Sequence, residues 1–231
     1  YRTRIQSMVS IQPKQGSFEI SMGSLRLFLS TFFLFILEYS SFAQVSITPK
    51  IGISFSTFRN MNLELDNNLI LNSNNLMSFT FGSDVEYKKK ENALITNLSY
   101  IEKGGNFHHP LYCDLNYRHK EIDLSFIYKR YFVEHIAIYT GITIGVCMSS
   151  KIKGNEILNN ENIAINENIK SKTNNTNYSI PLGVEINFYN LILNIQYSYG
   201  ITDILKEQRY KNSKNSTILL TFGKKIIMWT T

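Results

Sequence analysis

Cysteine is scarce, with only Cys113 and Cys147, so a disulfide scaffold is excluded, and neither has a second cysteine close enough for a zinc pattern. Proline is scarce too, four in 231 residues, which leaves room for long uninterrupted strands. No apolar run approaches the roughly 20 residues a spanning helix needs, because the longest, Leu27–Leu37, stops well short. Basic residues outnumber acidic ones by 24 to 18, yet they are scattered apart from Lys88-Lys89-Lys90 and Lys224-Lys225. Both runs fall at strand ends, where solvated turns or lipid head groups suit them better than a nucleic-acid face. A Gly-rich phosphate loop, a nucleophile elbow and a zinc-protease helix are all missing, so neither an enzyme nor a cofactor or metal is expected. What the chain has in quantity is tyrosine and phenylalanine, 14 and 15 residues, which suits strands better than a helical bundle.

The N-terminal part reads as an address. Met22-Gly-Ser-Leu-Arg26 is a basic start, Leu27–Leu37 an apolar stretch, and Ser41 and Ala43 stand at the two positions a signal peptidase reads before Gln44. The expectation is a signal peptide over 22–43, a non-native upstream extension over 1–21, and a single folded domain over 44–231.

After Gln44 the dominant pattern has period two, which puts alternate side chains on opposite faces of a strand. Segments near 47–56, 77–88, 93–103, 117–131, 135–149, 178–189, 191–204 and 217–229 follow it. Most have the length of about 9–11 residues that a tilted strand needs to cross hydrocarbon. Tight turns at Lys89–Asn92, Phe132–Glu134 and Tyr189-Asn190 alternate with polar loops at 60–76, 104–116, 150–177 and 205–216. Short turns on one side and long loops on the other predict an all-β transmembrane up-and-down antiparallel barrel of about eight strands, with both barrel termini periplasmic. The 150–177 loop, rich in Asn, Lys and Glu, is expected to be mobile and exposed.

Direction is argued from glycine. The polar face carries Gly52, Gly82, Gly141, Gly145, Gly183, Gly200 and Gly223, and glycine weakens an exposed strand but relieves crowding in a narrow barrel. The polar face is therefore expected inside, and it brings a lumen charge network of Lys50, Asp84, Glu86, Glu121, Asp123, Lys129 and Glu185, with Arg118 as a further neutralising cation. The apolar face then meets lipid, with interface aromatics Tyr87, Tyr128, Tyr131, Phe188, Tyr189 and Trp229 towards the turns and Tyr100, Tyr117 and Tyr178 towards the loops.

Five stretches carry a family likeness: Pro49-Lys-Ile-Gly-Ile-Ser-Phe-Ser56, Tyr100-Ile-Glu-Lys-Gly-Gly105, Glu121-Ile-Asp-Leu-Ser-Phe-Ile-Tyr-Lys129, Ile180-Pro-Leu-Gly-Val-Glu-Ile186 and Gln196-Tyr-Ser-Tyr-Gly-Ile-Thr202. In this order the chain resembles the PorT-like, or porin-family, small outer-membrane β-barrel proteins. The resemblance implies an integral outer-membrane protein of Gram-negative type, and some members take part in protein secretion. The C-terminus departs from the pattern, running past Ile226 to Met-Trp-Thr-Thr231 where such barrels finish on an aromatic residue.

Two clusters invite chemistry. His108-His109 with Cys113 and His119 has soft-metal ligand types, but adjacent histidines project apart and a polar loop needs no metal. The pairs Asp84/Glu86 and Glu121/Asp123 have the composition of an acid–base site, but residues two apart on a strand point the same way, and lumen cations suffice to neutralise them. Cys113 and Cys147 are compatible with a bridge between neighbouring strands or with two free thiols. The leading expectation is a structural or accessory protein with a plugged lumen, acting through its loops, 150–177 above all, on a protein partner. A small-solute channel and a soluble periplasmic lipocalin-like carrier are the alternatives.

Overall fold

The structure is a computed structural model that describes residues 44–59, 62–65, 69–109, 113–158, 161–206 and 213–230. The expected upstream extension and signal peptide lie outside the described residues. The alternating stretches become β1 (Gln44–Arg59), β4 (Leu76–Lys89), β5 (Asn92–His109), β6 (Cys113–Val133), β7 (Ile136–Leu158), β9 (Thr176–Phe188), β10 (Leu191–Asp203) and β11 (Lys214–Lys224). Between them stand β2 (Asn62–Leu65), β3 (Leu69–Asn72) and β8 (Glu161–Asn168), and β12 (Ile226–Thr230) follows.

Each of the eight long strands pairs antiparallel with its neighbour, and β11 returns to β1 from Lys50↔Gly223 to Arg59↔Lys214. Closure leaves the ring without an exposed edge, which a sheet in lipid cannot have. After Lys225 the chain continues as β12 beside the start of β1, from Ile47↔Ile226 to Gln44↔Thr230. At one end the hairpins close in two residues, Lys90-Glu91, Glu134-His135 and Tyr189-Asn190. These turns hold Lys90 and Tyr189 at φ 55° and 56°, the left-handed region that a right-twisted hairpin demands.

At the other end two expectations need correction. The expected loop 104–116 is mostly strand, because β5 and β6 stay paired up to His109↔Cys113. The 150–177 segment is a built structure: β7 runs on to Leu158, returns as β8, and ends in the single 3-10 turn Lys170–Lys172. Ile169 and Thr173 beside that turn are buried. Its polar composition belongs to the outer faces of a hairpin, where Lys151, Lys153 and Asn155 are exposed while Ile152 packs inward. A bulge resets the alternation, since Lys120 faces Ser149 and Glu121 faces Cys147, leaving Met148 as the extra residue. Both Cys147 and Ser150 are consequently buried.

The barrel is inside out relative to a soluble one. Phe79 is 78% exposed and Ile51 70%, and Phe81, Leu98, Phe126, Leu182 and Phe222 also lie open on the outer wall. Glu121, Lys129 and Glu185 are buried at 0%, 1% and 1%. An apolar belt of this extent is far beyond the few hundred Å² a soluble monomer exposes, and it overturns the lipocalin-like alternative, whose apolar residues would line the interior.

Candidate functional site

The inward face holds three polar clusters at successive heights. Nearest the tight turns, Lys129 Nζ lies 2.7 Å from Glu86 Oε2 and 2.6 Å from Glu185 Oε1. Since Lys129 is on β6, Glu86 on β4 and Glu185 on β9, this ammonium ties together strands that are not neighbours. The Tyr131 hydroxyl donates to Glu86 Oε1 at 3.0 Å, and Lys225 pairs with the same carboxylate. In the middle, Lys50 Nζ sits 2.6 Å from Asp84 Oδ2 while Asn97 Nδ2 donates to Asp84 Oδ1 at 2.6 Å.

Towards the long hairpins, Lys103 Nζ holds two carboxylates, Glu121 Oε2 at 2.5 Å and Asp123 Oδ2 at 2.8 Å. The second Glu121 oxygen lies 2.6 Å from His119 Nε2 and accepts a hydrogen bond from Asn177. Gly145 makes this cluster possible, because a Cβ there would come within 2.7 Å of both Glu121 Oε2 and Asp123 Oδ1. All seven residues expected to line the lumen therefore point inward, but as separate clusters. Lys103, His119, Asn177, Tyr131, Tyr139 and Lys225 were not among them.

Above the upper cluster the interior turns apolar. Phe58, Phe107, Cys113, Tyr117, Ile169, Ile204 and Leu205 bury one another, with Leu115 and Ile152 against them. Tyr117 is the hinge between the two regions: its ring packs edge-on to Phe58 at 4.8 Å, and its hydroxyl accepts a hydrogen bond from Ser150 Oγ at 2.9 Å. The 150–177 excursion is stitched to the last connection by a Thr173↔Leu205 bridge and by Lys206 N donating to Lys172 O at 2.9 Å.

Several expected positions need correction. Tyr117 and Tyr131 are not interface aromatics, being 1% and 4% exposed, because both share the inward parity of Ile127 and Lys129 on β6. Tyr87, Tyr100, Tyr128, Tyr178 and Phe188 lie on the outward parity, Tyr189 stands fully exposed in the turn after β9, and Tyr100 stacks on Phe81 at 5.1 Å. The side chain of Trp229 lies outside the described residues. Arg118 points out of the barrel and binds Glu102 at 3.0 Å, so it neutralises nothing in the lumen. His119 is buried inside while His108 is exposed outside near Asp114, so the imagined histidine–cysteine site does not converge. Cys113 and Cys147 are both buried and form no disulfide. Glu121, the partner of Cys147, stands eight residues along β6 from Cys113, about 27 Å at strand rise, far beyond bridging distance.

Among the described residues the cavities inside the ring are small. One cavity of about 30 Å³ lies among Lys50, Asn97, Ser125 and Gln196, and another of about 20 Å³ lies between Lys103, Asn177 and Ser198. A Cβ at Gly183 would run into the Tyr139 ring, which fills the space the glycine leaves. Gly183→Val should therefore destabilise the barrel by about 1–3 kcal/mol, although valine favours strands. Adding Tyr139→Ala should recover part of the loss in denaturant titrations. Equal stability of the single variant and the parent would show that the two positions do not compete for space.

A closed antiparallel ring with an apolar exterior, charged interior and unequal ends defines a transmembrane barrel of the outer-membrane class. Residues 42–206 match the family described as outer membrane protein beta-barrel domain, and the chain belongs to that family. Membership places it in the lipid bilayer of the outer membrane. Among solved structures the chain is similar to Ail, the attachment invasion locus protein of Yersinia pestis, determined in complex with the heparin analogue sucrose octasulfate. The identity is 15% over 79% of this chain and 99% of Ail, with a TM-score of 0.48. It is also similar to OprG from Pseudomonas aeruginosa, at 10% identity over 78% and 95% of the two chains and a TM-score of 0.40. Neisserial surface protein A follows, at 11% over 80% and 97% with a TM-score of 0.39. No curated protein matches the chain.

Proposed function

We propose that this barrel neither conducts nor catalyses, and that it serves as an outer-membrane scaffold presenting its long hairpins to a protein partner, with both termini on the periplasmic side. The observation that carries the reading is the pairing of the lumen lysines: Lys50, Lys103 and Lys129 each hold a carboxylate within 2.8 Å, across spaces that admit little more than single waters. Above them the apolar cluster gives the tall hairpins a packed base, and rigid scaffolds of this kind are where recognition loops are found. The five stretches between Pro49 and Thr202 support a PorT-like subtype and, with it, an accessory role in secretion.

Deleting Gly154–Lys172 tests the recognition surface. The β7–β9 pairing that closes the ring, from Ile136↔Ile186 to Val146↔Thr176, lies outside the deletion. The shortened protein should insert and keep its heat-dependent gel migration while losing whatever crosslinks to the full chain. Failure to insert would make the excursion structural, and retention of every crosslinked partner would move recognition elsewhere.

A further inference from the structure

On the outer wall of β5, β6 and β7 the side chains change character abruptly. Ile122, Phe126, Val146 and Met148 are exposed and apolar, and nearer the long hairpins come first Lys120, then Arg118 level with Lys151, and then Lys153. All four cations are exposed, and they surround a concave space of about 410 Å³ together with Glu102 and Asn116. The strand register puts them side by side: Arg118 faces Lys151 and Asn116 faces Lys153. Glu102, the one carboxylate lining the space, is already held by Arg118, and among the described residues no acid lies at ion-pair distance from Lys120, Lys151 or Lys153.

Glu102 answers Arg118, but it is a single carboxylate among four cations, and the excess positive charge crowded on one wall repels unless a further anion joins it. The position says which anion. The patch is on the outside of the barrel, on the edge of the belt that meets acyl chains, where long cationic side chains keep their heads at the level of lipid head groups. We propose that Arg118, Lys120, Lys151 and Lys153 form a binding site for the phosphate groups of an outer-leaflet lipid. The acyl chains of that lipid lie along the apolar wall below, and the site fixes the height and rotation of the barrel in the membrane. Placement in the outer leaflet rests on the orientation proposed above.

The test uses the full chain purified in neutral detergent, with diphosphoryl lipid A, its dephosphorylated form, inorganic phosphate and sucrose octasulfate as probes, and native mass spectrometry as the readout. The parent should retain one diphosphoryl lipid. The variant R118Q/K120Q/K151Q/K153Q should bind it about a hundredfold more weakly, given the worth of each cation near an anionic surface. A control, K170Q/K172Q/K206Q, removes exposed lysines elsewhere and should bind as the parent does. Equal loss in the control would reduce the effect to net charge and overturn the site. Equally tight binding of the dephosphorylated lipid or of inorganic phosphate would also overturn it, and tight competition by the octasulfate would reassign it to a soluble polyanion. An epitope tag in the β7–β8 hairpin, probed on intact cells, tests orientation separately: an unreachable tag with lipid binding intact would remove the leaflet assignment but leave the site.

Discussion

Replacing Lys129 by methionine should cost the folded barrel about 3–5 kcal/mol, the loss typical of removing one partner from a buried charge cluster. Lys129 is 1% exposed and is the cation that joins Glu86 to Glu185. Lys225 remains beside Glu86, so the carboxylate of Glu185 carries most of the penalty. The measurement is the urea midpoint for unfolding from phosphocholine vesicles, followed by the loss of the fast-migrating folded band. The double variant K129M/E185Q should regain most of the stability, because Lys225 still answers Glu86 and no uncompensated carboxylate stays in this cluster. An unchanged midpoint for K129M alone would mean that water reaches this cluster freely.

Truncating the apolar cluster should have an effect of similar size in a different place. Phe107 and Tyr117 are each 1% exposed and sit where β5 and β6 rise above the belt, and aromatic-to-alanine changes at such sites cost about 3–5 kcal/mol. The tall hairpins lie beyond the lipid-supported ring, so the loss should appear as local opening rather than global unfolding. F107A/Y117A should therefore be cleaved in the hairpins by added protease at least tenfold faster on intact cells, with its gel shift on heating unchanged. A variant that resists protease like its parent would show that the hairpins stand without the cluster.

The ring was legible because membrane strands keep strict alternation, and the inward glycines marked which face was the lumen. Parity was also enough to place Tyr131 inside, yet its nearness to a turn suggested an interface role. It is inward because Lys129 and Ile127 are, and a strand cannot turn one side chain outward without a bulge. Lys103 was missed because the third strand was expected to end there, whereas β5 runs on to His109 and carries its ammonium in to Glu121 and Asp123. His119 lies within the expected strand 117–131 at the parity of Glu121, so alternation alone could have found it, whereas Asn177 falls in the expected loop 150–177 and only the pairing of β7 with β9, at Gly145↔Asn177, brings it inside. The bulge at Met148 has no sequence mark, which is why residues beyond it, Ser150 among them, could not be given a face.

The account stands or falls on whether the lumen is closed. Purified, unmodified protein should be reconstituted into planar bilayers at neutral pH and moderate salt, with folding verified on the same sample by heat-shifted migration. An eight-stranded ring has an interior just wide enough to be filled by its own side chains, and here these pair in three clusters, so insertion should produce no steady single-channel steps. Reproducible, ion-selective openings would contradict the closed lumen and make a small-solute channel the better description.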